Sequence, residues 1–214
     1  MSGDNGEPRY AVDVWVDPLC PWAWRTARWL LEVERLRRVP VGFRLMSLAV
    51  LNEGREDADK MYRFLVRRGW GPVRVCAAAA AKHGDEVLRP LYLAMAERIH
   101  EQREGWGQGT LRGALADAGL DQVLADAARE PEHDAAVRAS HAAGMRLSAD
   151  AAGTPMVHMR RTDATVDGFP TAFFGPVLSR PPAGEQAGRL WDALRVMAET
   201  PGFAELKRPR EPAP

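Results

Sequence analysis

Cysteine is scarce in this 214-residue sequence, with one at position 20 and one at position 76. The two stand in unrelated contexts, so no disulfide framework is expected, and the chain suits a reducing compartment. An excess of charge of one sign is also missing. Lys and Arg number 29, and so do Asp and Glu, so no overall field steers the protein toward nucleic acid or an anionic membrane. No apolar run is long enough to span a bilayer, and residues 1–8 are polar where a signal peptide would be apolar. A cytoplasmic protein with a small-molecule partner is expected, and no oligomeric state is implied. His83, His100, His133, His141 and His158 never pair with cysteine or carboxylate at a metal-binding spacing, so no metal is expected. No glycine-rich nucleotide fingerprint follows a strand; residues 105–109 (GWGQG) lie between helical stretches and read as a loop. No fixed period repeats, which excludes a solenoid.

What is present is an ordinary globular composition, 46% hydrophobic and 27% charged. Residues 10–16 (YAVDVWV) alternate apolar and polar, as a half-buried strand does. Pro21 suits the first position of a helix, where its missing N–H is harmless. Cys20 therefore falls at or just before a helix N-terminus. Unpaired N–H groups and the helix dipole favour a thiolate there, with pKa values of roughly 3.5 to 7.5 instead of about 8.5. The helix should run to residue 38, burying Ala23, Ala27, Leu30 and Leu31, and Val39-Pro40 ends it. Residues 41–47 alternate again and predict a second strand, parallel to the first, in a right-handed β-α-β unit. From 57 to 148 the pattern is helical, broken near 69–72, 83–84, 105–109, 119 and 130–131, with room for five or six helices. Residues 154–159 and 171–174 predict a hairpin joined by the polar 160–168 segment, a candidate loop beside the site. Residues 184–200 predict a closing amphipathic helix, followed by a charged, proline-rich tail.

The residues 17–22, Asp-Pro-Leu-Cys-Pro-Trp, carry a resemblance that extends through 46–52 (MSLAVLN), 70–75 (WGPVRV), 90–92 (PLY) with 98–100 (RIH), 153–155 (GTP) and 173–179 (FFGPVLS). The chain resembles DsbA-type thioredoxin-like thiol oxidoreductases, and the mycothiol-dependent reductases of actinobacteria in particular. The resemblance implies an α/β, thioredoxin-like fold with a large all-helical insertion: residues 10–56 and 149–203 as the thioredoxin-like domain, 57–148 as the insertion, 204–214 as a tail. It also implies a cis Thr154–Pro155 peptide facing Cys20, with the Thr154 backbone available to align a thiol ligand. Trp22 is a candidate apolar wall for that ligand, and Trp24 reads as a core aromatic. Asn52, Tyr62 and His100 match positions near the active site of the similar reductases. Read alone, Asn52 is a cap or turn residue, Tyr62 a half-buried helix residue and His100 a satisfied histidine. In the site, His100 would stabilise the thiolate or shuttle a proton, and Asn52 and Tyr62 would hydrogen-bond cofactor or substrate.

One departure from the reductases governs the function. Their motif usually ends in a second cysteine, and here that position is Ala23. Cys20 then has no resolving thiol within its motif, and the ordinary dithiol cycle is closed. Cys76, in an alanine-rich helical run, reads as a buried structural thiol. The preferred reading is an oxidoreductase with one active cysteine, whose mixed disulfide is resolved by an external low-molecular-weight thiol, mycothiol by resemblance. The alternative is a cis-trans isomerase of a conjugated alkene, with Cys20 adding and leaving reversibly. A third reading, a binding protein that has lost the cycle, is disfavoured by Cys20 itself.

Overall fold

The alternating residues 10–16 form a central strand of a four-stranded sheet. In the computed structural model, which describes residues 10–54, 68–147, 153–162, 171–207 and 209, β1 (Tyr10–Val16) pairs in parallel with β2 (Val41–Leu45). On its other side it pairs antiparallel with β3 (Met156–Arg161), and β4 (Thr171–Phe174) completes the order β2-β1-β3-β4. Val12 faces Val41 and Met159, while Val14 faces Phe43 and Val157. Residues paired across strands share a face, so these apolar rows cover one side of the sheet. Helices α1 (Pro21–Arg37) and α7 (Glu185–Glu199) pack there, with Trp29, Leu30 and Trp191 buried in the same core. The Trp29 indole donates to Ala187 O at 3.1 Å, so burying its polar atom carries no penalty.

The opposite face carries Trp15, Met156 and His158. Trp15, Met156 and Met46 form a second, smaller apolar cluster. It is covered by α6 (Asp134–Met145): Trp15 donates to Ser140 O at 2.9 Å, and His158 Nε2 donates to Gly144 O at 2.9 Å. A Cβ at Gly144 would lie 2.7 Å from the Trp15 ring, so glycine is what permits the approach.

After β2 the chain enters a helical block. The strand stops at Leu45, short of the predicted residue 47, because the Ser47 hydroxyl accepts from Val50 N and caps a short helix, α2 (Leu48–Leu51). Then follow α3 (Trp70–His83), α4 (Leu88–His100), α5 (Gln108–Asp117), a 3-10 stretch over Gln122–Arg129, and α6. Gly84, Gly105 and Gly119 sit at the breaks with φ of 92°, 76° and 70°, a region that only glycine enters freely. Val73, Cys76, Leu91, Met95, Leu111 and Leu115 join the sheet's apolar face in one continuous core. Tyr62 and residues 163–168 of the predicted loop lie outside the described residues. Among the described residues no helix is long and apolar enough to cross a membrane.

Candidate active site

Between the end of β1 and the start of α1 the chain turns back on itself, closed by a bond from Cys20 N to Asp17 O at 3.0 Å. Cys20 is the N-cap of α1, in extended backbone, with Pro21 directly after it. A side chain at that position meets N–H groups that have no intrahelical acceptor. Ala23 N–H donates to Cys20 Sγ at 3.4 Å. On the other side Sγ donates to Thr154 O at 3.4 Å. The two contacts favour opposite forms of the sulfur. An N–H donor binds a thiolate more strongly than a thiol, while the carbonyl needs the thiol proton. Losing that proton releases the Thr154 carbonyl and tightens the hold of the helix. Cys20 is only 3% exposed.

The Thr154–Pro155 peptide is cis, and so is Gly175–Pro176. Pro155 O accepts from Gly175 N at 2.9 Å, which joins the two segments, and the Thr26 hydroxyl of α1 donates to Pro176 O at 2.7 Å. The start of α1 and both proline turns are thereby fixed to each other.

Asp17 is a site residue that sequence reasoning passed over. Its Oδ1 accepts from Leu19 N at 2.7 Å and its Oδ2 from Leu48 N at 2.6 Å. The carboxyl ties the turn under Cys20 to the start of α2. Burial pushes its pKa up to about 6, against the two N–H donors, which hold it down. An acid directly before a proline in the motif was the available signal, but acids in turns usually face water.

His100, at the end of α4, donates from Nε2 to Pro18 O at 2.9 Å. A carbonyl only accepts, so Nε2 carries the proton. Burial, with a smaller push from the Arg25 cation, holds the ring below the usual histidine range, and the Pro18 bond opposes this. His100 thus grips the backbone of the Cys20 turn as a neutral ring. Trp22 is half-buried, with the Arg25 guanidinium 5.1 Å from its ring centre. Trp24 is buried and its indole donates to Glu101 at 2.8 Å, as a core anchor does. Asn52 is buried at the end of α2, where its side chain donates to Leu48 O at 2.7 Å.

Behind the turn lies a second group that sequence reasoning did not connect to the site. Tyr92 of α4 is 1% exposed, and its hydroxyl has no hydrogen-bond partner among the described residues. Burial, then the charges of Cys20, Asp17 and Cys76, push it well above the usual tyrosine range. Tyr92, Asp17 and the two thiols therefore share one buried neighbourhood.

Comparison with known proteins gives the same architecture. Residues 19–208 match a family model described as Rv2466c-like, mycothiol-dependent nitroreductase Rv2466c. The uncharacterized protein Rv2286c of Mycobacterium tuberculosis is 31% identical over 209 residues, spanning 94% of this chain and 83% of its own. Among solved structures, cytosolic disulfide reductase DsbM of Pseudomonas aeruginosa with GSH superposes at a TM-score of 0.54, with 16% identity over 86% of this chain and 99% of that one. DsbA2 of the same organism gives 0.52, with 17% identity over 91% and 92%. Likeness at these identities establishes a DsbA-like, thioredoxin-type fold.

Proposed function

The chain belongs to the Rv2466c-like family, and from that membership we propose that it is a thiol-dependent oxidoreductase working through one cysteine, Cys20, and an external low-molecular-weight thiol of the mycothiol kind. The observation that carries this reading is the pairing of Cys20 with Ala23. The sulfur sits where the first turn of α1 donates to it, and a fully buried alanine stands three residues on. In the first step the Cys20 thiolate attacks one sulfur of a substrate disulfide. A new S–S bond forms to Cys20, and the other sulfur leaves as a thiolate that takes a proton from water. The external thiol, as its thiolate, then attacks the substrate sulfur of this mixed disulfide, forming a new S–S bond to it and releasing Cys20 as a thiolate, so that the net reaction is an exchange of one disulfide for another. The Ala23 N–H acts in both directions. It holds the attacking thiolate, and it stabilises Cys20 as the leaving group when the mixed disulfide is opened. Two features support such a ligand: the Thr154 carbonyl lies 3.4 Å from the sulfur, and half-buried Trp22 stands in the first turn of the same helix. Asp17 and His100 fix the turn that presents Cys20, through Leu19 N, Leu48 N and Pro18 O. Asn52 and Tyr62 remain proposed ligand-binding positions of the same site, and the reaction is placed in the cytoplasm.

A second reading rests on the same alanine. A sulfur with no resolving partner also suits reversible addition to a conjugated alkene, with rotation and elimination returning the thiol unchanged. One experiment separates the two. The protein is incubated with a mycothiol mixed disulfide with and without free mycothiol, and separately with a cis cinnamoyl compound and no thiol, each beside Cys20→Ser. Turnover only with mycothiol is the expected result. Geometric isomerisation without net redox supports the alkene reading, and activity that survives Cys20→Ser overturns both.

A further inference from the structure

Several arginines around α1 are matched by carboxylates. Arg35 pairs with Glu32, Arg37 with Glu185 and Asp192, Arg28 with Glu101, and Arg98 with Asp117 and Glu104. Arg25, on the same helix, is different. Its Nη1 is buried and has no hydrogen-bond partner among the described residues. No ion pair to it is found among them either. Among its neighbours are the Trp22 ring, at 5.1 Å, and His100, whose ring its charge holds down. Glu101, the carboxylate next to His100, already accepts from the Trp24 indole at 2.8 Å and from Arg28 at 2.9 Å. A guanidinium with a buried N–H and no acceptor costs free energy, and departures of this kind concentrate where a ligand supplies the missing partner.

Arg25 is also linked to the Cys20 turn through Trp22 and His100. Trp22, whose ring the guanidinium overlies, is two residues after the cysteine, and His100 is bonded to Pro18, two residues before it. The guanidinium carbon lies over the Trp22 ring at 5.1 Å, and a guanidinium fork matches a planar, two-oxygen acceptor. The charge is also that of a carboxylate's counterpart. One cation beside a neutral imidazole is balanced by a single negative charge, whereas a phosphate dianion would remain half uncompensated.

We propose that Arg25 selects the substrate: laid on Trp22 at the mouth of the site, its guanidinium grips a carboxylate on an acidic disulfide and so directs that disulfide to Cys20 Sγ. This rests on the reading of Cys20 as the attacking sulfur. It makes Arg25 a specificity-determining residue and narrows the substrate class to carboxylate-bearing disulfides.

The test uses two aryl disulfides that differ only in one group, dithiobis(nitrobenzoate) and the matching dithiobis(nitrobenzamide). In each arm the Cys20 thiolate forms an aryl mixed disulfide and releases one aryl thiolate, whose absorbance gives the rate. Cys20→Ser supplies the background. The wild-type protein is expected to prefer the acid over the amide by about tenfold or more, the scale of one charge-assisted, two-pronged bond. Arg25→Gln should bring the ratio close to one while the amide rate stays within about twofold, and Arg25→Lys, which keeps the charge but not the fork, should recover only part of the preference. Urea midpoints of both variants confirm that they fold. If Arg25 served only to stabilise the thiolate, both probes would slow together in Arg25→Gln, and an unchanged ratio overturns the proposal. If neither probe modifies native Cys20 although both modify the unfolded chain, the reactive-cysteine reading fails, and this inference fails with it.

Discussion

Cys20 and Cys76 are buried in the same core, 3% and 0% exposed, yet the backbone treats them in opposite ways. Cys76 lies in the middle of α3, where every N–H and C=O nearby is spent within the helix. The polar atom on its sulfur is Met95 Sδ at 3.8 Å. Burial, and then the charge of Asp17, push its thiol far above the usual range, so it stays protonated and inert. Cys20 lies at a helix start, where donors are unspent, and Ala23 N–H reaches it. The comparison teaches that depth alone does not decide what a thiol does. Position along a helix decides whether the buried sulfur has a donor to hold its charge.

Removing each sulfur in turn gives the largest effect. Cys20→Ser should lower thiol exchange by about a thousandfold or more, since the nucleophile itself is lost. Cys76→Ala should keep the rate within about twofold and cost about 1–2 kcal/mol of stability, as small core deletions do. Rates and urea midpoints check both, and intact mass should find one adduct, on Cys20. An exchange rate that falls as steeply in Cys76→Ala as in Cys20→Ser would break the contrast between the two thiols.

Asp17 links the two sulfurs, since it is bonded into the Cys20 turn and its charge acts on Cys76. Its native carboxyl keeps a proton up to about pH 6, whereas an ordinary aspartate releases it near 3.8. Between these values the native chain binds more protons than the unfolded one, so this group's contribution falls as pH rises and is least favourable above pH 6. The size is about 3 kcal/mol, at roughly 1.4 kcal/mol for each pH unit between the two values. His100, His141 and His158 are all held below the usual histidine range, first by burial. They act with the opposite sign: as pH falls below about 6.5 the unfolded histidines protonate first, and stability drops. Asp17→Asn removes only the first of these trends. Urea unfolding at about pH 4.5, 6 and 8 should show wild type gaining on Asp17→Asn by about 2–3 kcal/mol toward the acid end, and a constant difference would show that burial does not perturb Asp17.

Much of this contrast was legible in the chain and some was not, for physical reasons. Cys20 at a helix mouth followed from the alternation of residues 10–16 and from Pro21, both local signals. The glycine breaks at 84, 105 and 119 were local as well, because positive φ is a property of one residue. So was Asn52 as a cap. Helix α2 escaped, since four residues show no periodicity and only Ser47 marks it. Residues 122–129 look helical by composition but wind as 3-10. Asp17 and Arg25 escaped for a common reason. Each is a charged residue in a setting where charge normally faces water, and only the tertiary structure shows that one is sealed and that the other has no carboxylate among the described residues. The second cis proline, Pro176, carried no signal that distinguishes it from an ordinary X-Pro.

The smallest predicted change returns to Ala23, the residue that separates this site from a dithiol one. Its N–H already lies 3.4 Å from Cys20 Sγ, so a side-chain sulfur there starts within one helical turn of its target. Ala23→Cys adds a sulfur at a fully buried position, which should cost about 1–3 kcal/mol through overpacking. In return it converts an encounter with a dissolved thiol into an intramolecular step, with the concentration advantage that such steps carry. The lifetime of a mixed disulfide on Cys20 should shorten by about tenfold or more, ending in a disulfide between Cys20 and the introduced sulfur, visible as a loss of two hydrogens by mass. The Cys76 sulfur should take no part, because the mid-helix backbone leaves it without a donor. Should the mixed disulfide persist in Ala23→Cys, the first turn of α1 would be shown to hold its sulfur too tightly for attack along the helix, and the external thiol would be required by geometry as well as by the missing second thiol.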